Sequence, residues 1–154
     1  MTSFREFGLF LITAALATTP SGPTMAQPER LWFDTPTVVN SVEAVCTGIG
    51  STARADPRWG EYPLKVEAVG RGGQYLGAVT MVVAQDGEEV VTVSCGGPWI
   101  LFRLAPGSYV VSAMTDALSS SGRVNVPAQG QGRLILRFSE AGGALSPEHV
   151  PSPD

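Results

Sequence analysis

The sequence predicts an all-β fold: a seven-stranded Greek-key β-sandwich with two sheets, Ig-like in its general plan, behind an irregular N-terminal arm. Three observations carry that expectation. Short valine-rich runs recur roughly every ten residues between glycine- and proline-containing turns. Charge is sparse, at 16% Asp, Glu, Lys and Arg, while glycine numbers 18 and proline 12 among 154 residues. That composition suits an all-β domain with many turns. The third observation is a corner, Leu104-Ala105-Pro106-Gly107-Ser108-Tyr109. Pro106 presets φ at the first central position of a type II turn and Gly107 accepts φ > 0 at the second. Tyr109 then enters a strand with its ring inward, and the upstream backbone can accept its hydroxyl, as in the tyrosine corner of Greek-key sandwiches. An ordinary hairpin with a core tyrosine is the competing reading.

The chain opens with a targeting segment, residues 1–26. Arg5 gives a weakly basic start that Glu6 cancels, and Gly8 to Ala17 is an apolar run of signal-peptide length. It is shorter than the roughly 20 apolar residues of a membrane span. Thr24-Met25-Ala26 offers small residues at −3 and −1, so cleavage is expected before Gln27, with a second option near Ala17. No lipobox cysteine follows. A buried N-terminal helix is the alternative. The expected compartment is periplasmic or extracellular, with no membrane span after cleavage.

Residues 27–60 read as the arm. Leu31-Trp32-Phe33 is apolar enough to dock as an edge segment. Thr37 to Val45 is β-branched and reads as an extra strand, or as a helical turn from Ser41 to Val45. Ser51 to Gly60 reads as a loop or short helix, with Asp56-Pro57 as the breaker. Two cysteines in an exported chain predict one disulfide, Cys46–Cys95. Closing such a loop contributes roughly 4 kcal/mol in the chain-entropy model. Two buried thiols are the competing reading; a metal pair is weaker, because no histidine lies near either cysteine in sequence.

The sandwich domain is expected over residues 61–138. Tyr62–Val69 alternates, placing Leu64, Val66 and Ala68 inward and Lys65 and Glu67 in water. Val79–Val83 and Glu89–Ser94 flank Asp86-Gly87, a tight-hairpin signal. Trp99–Leu104 is the fourth strand. The fifth has Tyr109, Val111 and Ala113 inward. Ser119 to Gly122 reads as a polar turn before a short sixth strand, Arg123–Val126. Arg133–Phe138 is the seventh, with Leu134, Leu136 and Phe138 inward. Residues 139–154 turn to Gly, Ser and Pro and read as a disordered tail.

Five short motifs run in order: Thr47-Gly48-Ile49-Gly50, Tyr62-Pro63-Leu64-Lys65, Gly73-Gln74-Tyr75-Leu76, Gly97-Pro98-Trp99, and Leu104 to Tyr109. This series resembles carboxypeptidase regulatory-like domains, and more narrowly small secreted proteobacterial proteins that carry that domain. The resemblance covers about residues 42–138 and implies a transthyretin-like (prealbumin-like) sandwich. The cysteines at 46 and 95 depart from it. The family has no assigned catalytic residues, so the resemblance implies none here.

Function is less legible. The formal net charge is −4 and no Lys/Arg cluster occurs, which argues against nucleic acid. His149, the only histidine, lies in the tail, so no catalytic triad is expected. Asp86, Glu88 and Glu89 read as a solvated hairpin and not a calcium loop. Gly70-x-Gly72-Gly73 is a turn and not a phosphate cradle. No cofactor or metal is expected. The candidate ligand contacts are the aromatics Trp59, Tyr75 and Trp99, with core packing as the competing reading. The expectation is a non-enzymatic module whose sheet edges or loops hold an envelope protein. The alternative is a carbohydrate-binding module of the starch-binding-like type. Trp59 and Tyr75 exposed on one flat surface would favour the glycan; a long uncovered edge with few charges would favour the protein.

Overall fold

The computed structural model describes residues 27–140. The expected signal segment 1–26 and the tail from 141 onward lie outside the described residues. Ten strands form: β1 (Glu29–Arg30), β2 (Thr37–Val39), β3 (Val42–Thr47), β4 (Leu64–Gly70), β5 (Val79–Gln85), β6 (Glu88–Cys95), β7 (Trp99–Arg103), β8 (Gly107–Met114), β9 (Leu118–Val126) and β10 (Gly132–Glu140). A short helix, α1 (Gly50–Arg54), and a 3₁₀ turn, Pro57–Glu61, lie between β3 and β4.

The strands make two mixed five-stranded sheets. Sheet A runs β1-β6-β5-β8-β9 and sheet B runs β2-β3-β7-β4-β10. The β1–β6 and β10–β4 pairs are parallel; the rest are antiparallel. At its end β10 crosses over, pairing Ser139 and Glu140 with Ser119 and Leu118 of β9. That crossing extends the last strand past residue 138, where the tail was expected to begin.

All seven expected strands are present, and the three additional ones come from the arm. The arm is therefore not irregular. Val39 and Val42 pair across a two-residue turn in which Asn40 and Ser41 stand at φ 49° and 66°, the left-handed pair of a type I′ hairpin. The same geometry recurs at Asp86 and Gly87, φ 52° and 84°, between β5 and β6. β3 then inserts between β2 and β7 and sends Val42, Ala44 and Cys46 into the core.

The serine run is also strand and not turn: Ser119, Ser120 and Ser121 pair with Met114, Ala113 and Ser112 of β8. The turn lies earlier, where the Thr115 hydroxyl accepts from the Ala117 and Leu118 amides. No apolar residue marks the inner side there because β10 fills it. A Cβ on Gly122 would sit 3.0 Å from Leu134 Cδ1. The Pro106 corner is a bend and not a type II turn. Gly107 keeps the expected positive φ, but at 155° it lies outside the type II range and pairs with Val126.

Between the sheets, Leu64 and Val66 of β4, Ile100 and Phe102 of β7, and Met81, Val83 and Val111 of sheet A are wholly buried. Cys46 of β3 and Cys95 of β6 form a disulfide with Cα atoms 5.4 Å apart. It crosses this core and ties sheet B to sheet A. Beside it the docked segment crosses too. Leu31 N–H donates to the Ser94 carbonyl in sheet A, and Phe33 bridges Cys46 in sheet B.

Candidate functional site

The outer face of sheet B concentrates the charged and aromatic side chains. On β4, Lys65, Glu67 and Val69 alternate outward by strand parity. Register brings Trp99 and Leu101 of β7 beside Glu67 and Lys65, and Arg133, Ile135 and Arg137 of β10 along the other flank. Beyond Trp99, residues 74–76 fold back along β4. Gly70 N–H donates to the Gln74 carbonyl, Leu76 N–H donates to the Ala68 carbonyl, and Val69 bridges Tyr75.

Glu67 is therefore not in water: only 1% of it is exposed. Arg133 donates from Nε to Oε1 at 2.7 Å and from Nη2 to Oε2 at 3.0 Å. Lys65 Nζ lies 3.0 Å from Oε1 on the other side and 4.0 Å from the centre of the Trp99 ring. Burial pushes the Glu67 carboxyl upward, but the hydrogen bonds and charges of Arg133 and Lys65 outweigh it, so it titrates below its ordinary value. A carboxylate held this way is a poor proton acceptor at neutral pH.

Trp99 is 8% exposed. Tyr75 meets it edge-on with ring centres 6.2 Å apart, and the Arg54 guanidinium stands 5.9 Å from the Tyr75 ring. Gly48 seats the indole: a Cβ there would lie 2.8 Å from Trp99 Cγ, at φ 95°. The indole nitrogen Nε1 is buried without a hydrogen-bond partner.

A second cluster lies along the same face. Trp59 and Tyr62, delivered by the 3₁₀ turn, cover Val45 and Leu101. Asp56 caps the turn by accepting from Arg58 N–H, and Trp59 Nε1 donates to the Ala53 carbonyl at 2.7 Å. Gln131 Nε2 donates to the carbonyls of Trp59 and Tyr62, fastening the turn to the loop before β10. The Tyr62 hydroxyl donates to Glu43 Oε1 at 2.8 Å, and Arg103 Nε donates to the same oxygen at 3.2 Å. The Tyr62 hydrogen bond, helped by Arg103 and opposed by burial, holds Glu43 below its ordinary value. Burial, with Glu43 beside it, pushes Tyr62 up to about 12.

The three candidate ligand aromatics thus separate. Trp59 is 4% exposed and Trp99 8%, while Tyr75 is 45% exposed. Trp99 and Tyr75 meet; Trp59 packs in the other cluster, so no flat platform of Trp59 and Tyr75 exists. Sequence reasoning missed Glu43, Glu67, Arg103 and Arg133. Apart from Lys65, two residues from Glu67 on the same face, their partners stand at separations of 19 to 66 residues, beyond any local pattern.

At the corner, the Tyr109 hydroxyl donates to the Ala105 carbonyl at 2.8 Å; Leu104 and Tyr109 are buried and Pro106 is exposed. Among the described residues, no three His, Cys, Asp or Glu side chains are grouped to hold a metal ion. His149 lies outside them.

The sheet edges differ in cover. β2 ends sheet B with three residues. In sheet A, β1 pairs only with Val93 and Ser94 of β6. Glu88 to Thr92 therefore have no strand paired beyond them among the described residues. The chain matches no family model and no curated protein. The formed disulfide fits a non-cytoplasmic, oxidising compartment. No helix among the described residues is long and apolar enough to cross a membrane.

Proposed function

We propose that the protein is a non-enzymatic module of the periplasm or extracellular space that holds a protein partner by strand addition. The observation that carries this reading is the open stretch of β6. Residues 88–92 present backbone groups with no strand beyond them among the described residues, a ready template for an incoming strand. The signal-like segment and the disulfide support export. The Tyr109–Ala105 hydrogen bond supports a Greek-key, transthyretin-like sandwich of the carboxypeptidase regulatory-like kind. Burial of Trp59 and Trp99 weakens the carbohydrate-binding alternative.

The test is capture from an envelope extract by the purified, oxidised protein, with bound protein and bound glycan analysed separately. A protein partner retained through salt washing is expected. Thr92→Pro is the informative variant. Ser94 uses its outward carbonyl to accept from Leu31, so Thr92, two residues away, points its N–H the same way. Proline there removes an edge donor without touching the ladder to β5. Loss of capture with the fold retained supports strand addition. Polysaccharide retention abolished by Tyr75→Ala would overturn the proposal in favour of the glycan reading.

A further inference from the structure

The outer face of sheet A carries a pattern that no edge-binding role uses. Its side chains form three rows across β6, β5, β8 and β9. The first is Ser94, Thr80, Met114, Ser119; the second is Thr92, Val82, Ser112, Ser121; the third is Glu89, Ala84, Val110, Arg123. Their side chains are half-buried to exposed, with Val110 and Met114 at 38% and 47%, although the Thr92 hydroxyl oxygen is itself buried. Within these three rows the only charges are Glu89 at one end and Arg123 at the other end of the third; Glu88, the remaining charge on the four strands, stands at the hairpin end of β6. Arg30 of β1 lies beyond this grid, next to Ser94. In a chain of net charge −4, this is the surface that like-charge repulsion least protects from a second copy.

The third row is self-complementary. We propose that two copies of this chain pack through this face, related by a two-fold axis parallel to the strands between β5 and β8. That rotation exchanges the β6 and β9 columns and keeps each row. Glu89 of one copy then faces Arg123 of the other, twice. The exposed Val110 faces Ala84, and the exposed Met114 faces Thr80, so each larger side chain meets a smaller one. This is the isologous pattern a two-fold dimer requires, and opposite charges fix the register. Four strands by about five residues span roughly 300–400 Å² per copy. That is below the roughly 800 Å² per partner of a standard interface, so the dimer is weak.

Sedimentation equilibrium of the purified, oxidised protein tests this between about 10 μM and about 1 mM, the range open to a contact of this size. A concentration-dependent dimer that weakens with added salt is expected. Glu89→Arg and Arg123→Glu should each weaken it at least about tenfold, since each sets like charges opposite. The double variant Glu89→Arg with Arg123→Glu should restore it, because the swapped pair still faces its opposite. Both side chains are exposed, so matched thermal melts should confirm that every variant folds. Met114→Lys, which puts a charge opposite Thr80 in the row that holds neither Glu89 nor Arg123, should abolish the dimer even if a charge variant misfolds. A monomer at every concentration would overturn the proposal. So would a dimer indifferent to the single variants, or a foreign protein occupying the face of a monomeric chain.

Discussion

On the outer face of sheet B, β4 carries Lys65, Glu67 and Val69 beneath Trp99 and Tyr75, and all but Lys65 and Tyr75 are buried. At the matching positions of sheet A, β5 carries Thr80, Val82 and Ala84, each only half-buried and beneath nothing. Both strands are central in their sheets and both alternate. The difference lies in the path the chain takes on leaving each strand. After β4 the chain folds back and pairs beside its end through residues 74–76, which sets the Tyr75 ring against Trp99, and Trp59 and Tyr62 cover the neighbouring columns. After β5 it turns at once through Asp86-Gly87 into β6. An outward face becomes a second core where a loop is long enough to return over it, and there ionic side chains need partners.

The comparison breaks first at the joint between the sheets. Cys46→Ala with Cys95→Ala removes the only covalent tie, across a separation of 49 residues. About 4 kcal/mol of stability should be lost in denaturant titrations. A loss under about 1 kcal/mol would mean that the β10 crossover and the docked segment hold the sheets together without it.

Within the covered face, Glu67→Ala strands two cations that share one carboxylate. About 3 kcal/mol should be lost, the low end for breaking a buried ion pair, because Arg133 is 56% exposed and can turn to water. The bare-face counterpart, Glu89→Ala, should stay within about 0.5 kcal/mol. Equal losses at the two positions would mean that Glu67 is solvated in solution.

The covered face should also dominate the pH dependence. Glu67 and Glu43 both titrate below the ordinary 4.5 when folded. Their stabilisation is therefore present above that value and is lost as pH falls through their folded pKa. Tyr62 moves the opposite way, from 10.0 up to about 12. The neutral hydroxyl is the favoured form, so its contribution is present below pH 10.0 and is lost as pH rises toward about 12. Melting temperature followed from pH 9 to 12 should show this alkaline loss, and Tyr62→Phe should flatten it. An unchanged alkaline limb in that variant would assign the loss to other groups.

The same contrast explains what was legible in the sequence. Strands β5, β6 and β8 read cleanly, because one polar face and one apolar face give the alternation that period-two reasoning needs. The Cys46–Cys95 pairing followed from two cysteines and the expectation of export. Glu67 did not read correctly: parity says only that it points outward, and outward usually means water. Its burial depends on Trp99 and Arg133, which β7 and β10 bring beside it. The first half of β9 failed for the reverse reason, while Arg123–Val126 read as strand. Its inner side holds Ser120 and Gly122, because Leu134 and Leu136 of β10 reach in to fill the space, so no apolar pattern marks it. In the arm, Thr37 to Val45 read as one extra strand; its division into β2 and β3 was hidden because Asn40-Ser41 is a weaker turn signal than Asp-Gly.

The smallest effect on stability should come from the centre of the bare face. Val110→Lys adds a charge at a position 38% exposed, between Ala84 and Arg123 in its row. Its stem can lie on the sheet while the ammonium stays in water. The folded monomer should therefore change by less than about 0.5 kcal/mol, with a slight cost from facing Arg123. Val66→Lys, at the wholly buried face of β4, should prevent folding, because an unpaired charge would sit between the sheets. Monomer stability is to be measured in dilute solution, where a second copy cannot contribute. A loss above about 2 kcal/mol for Val110→Lys would mean that this face is already covered in the monomer. The cover would have to come from residues outside 27–140, and the contrast between the two outer faces would then vanish.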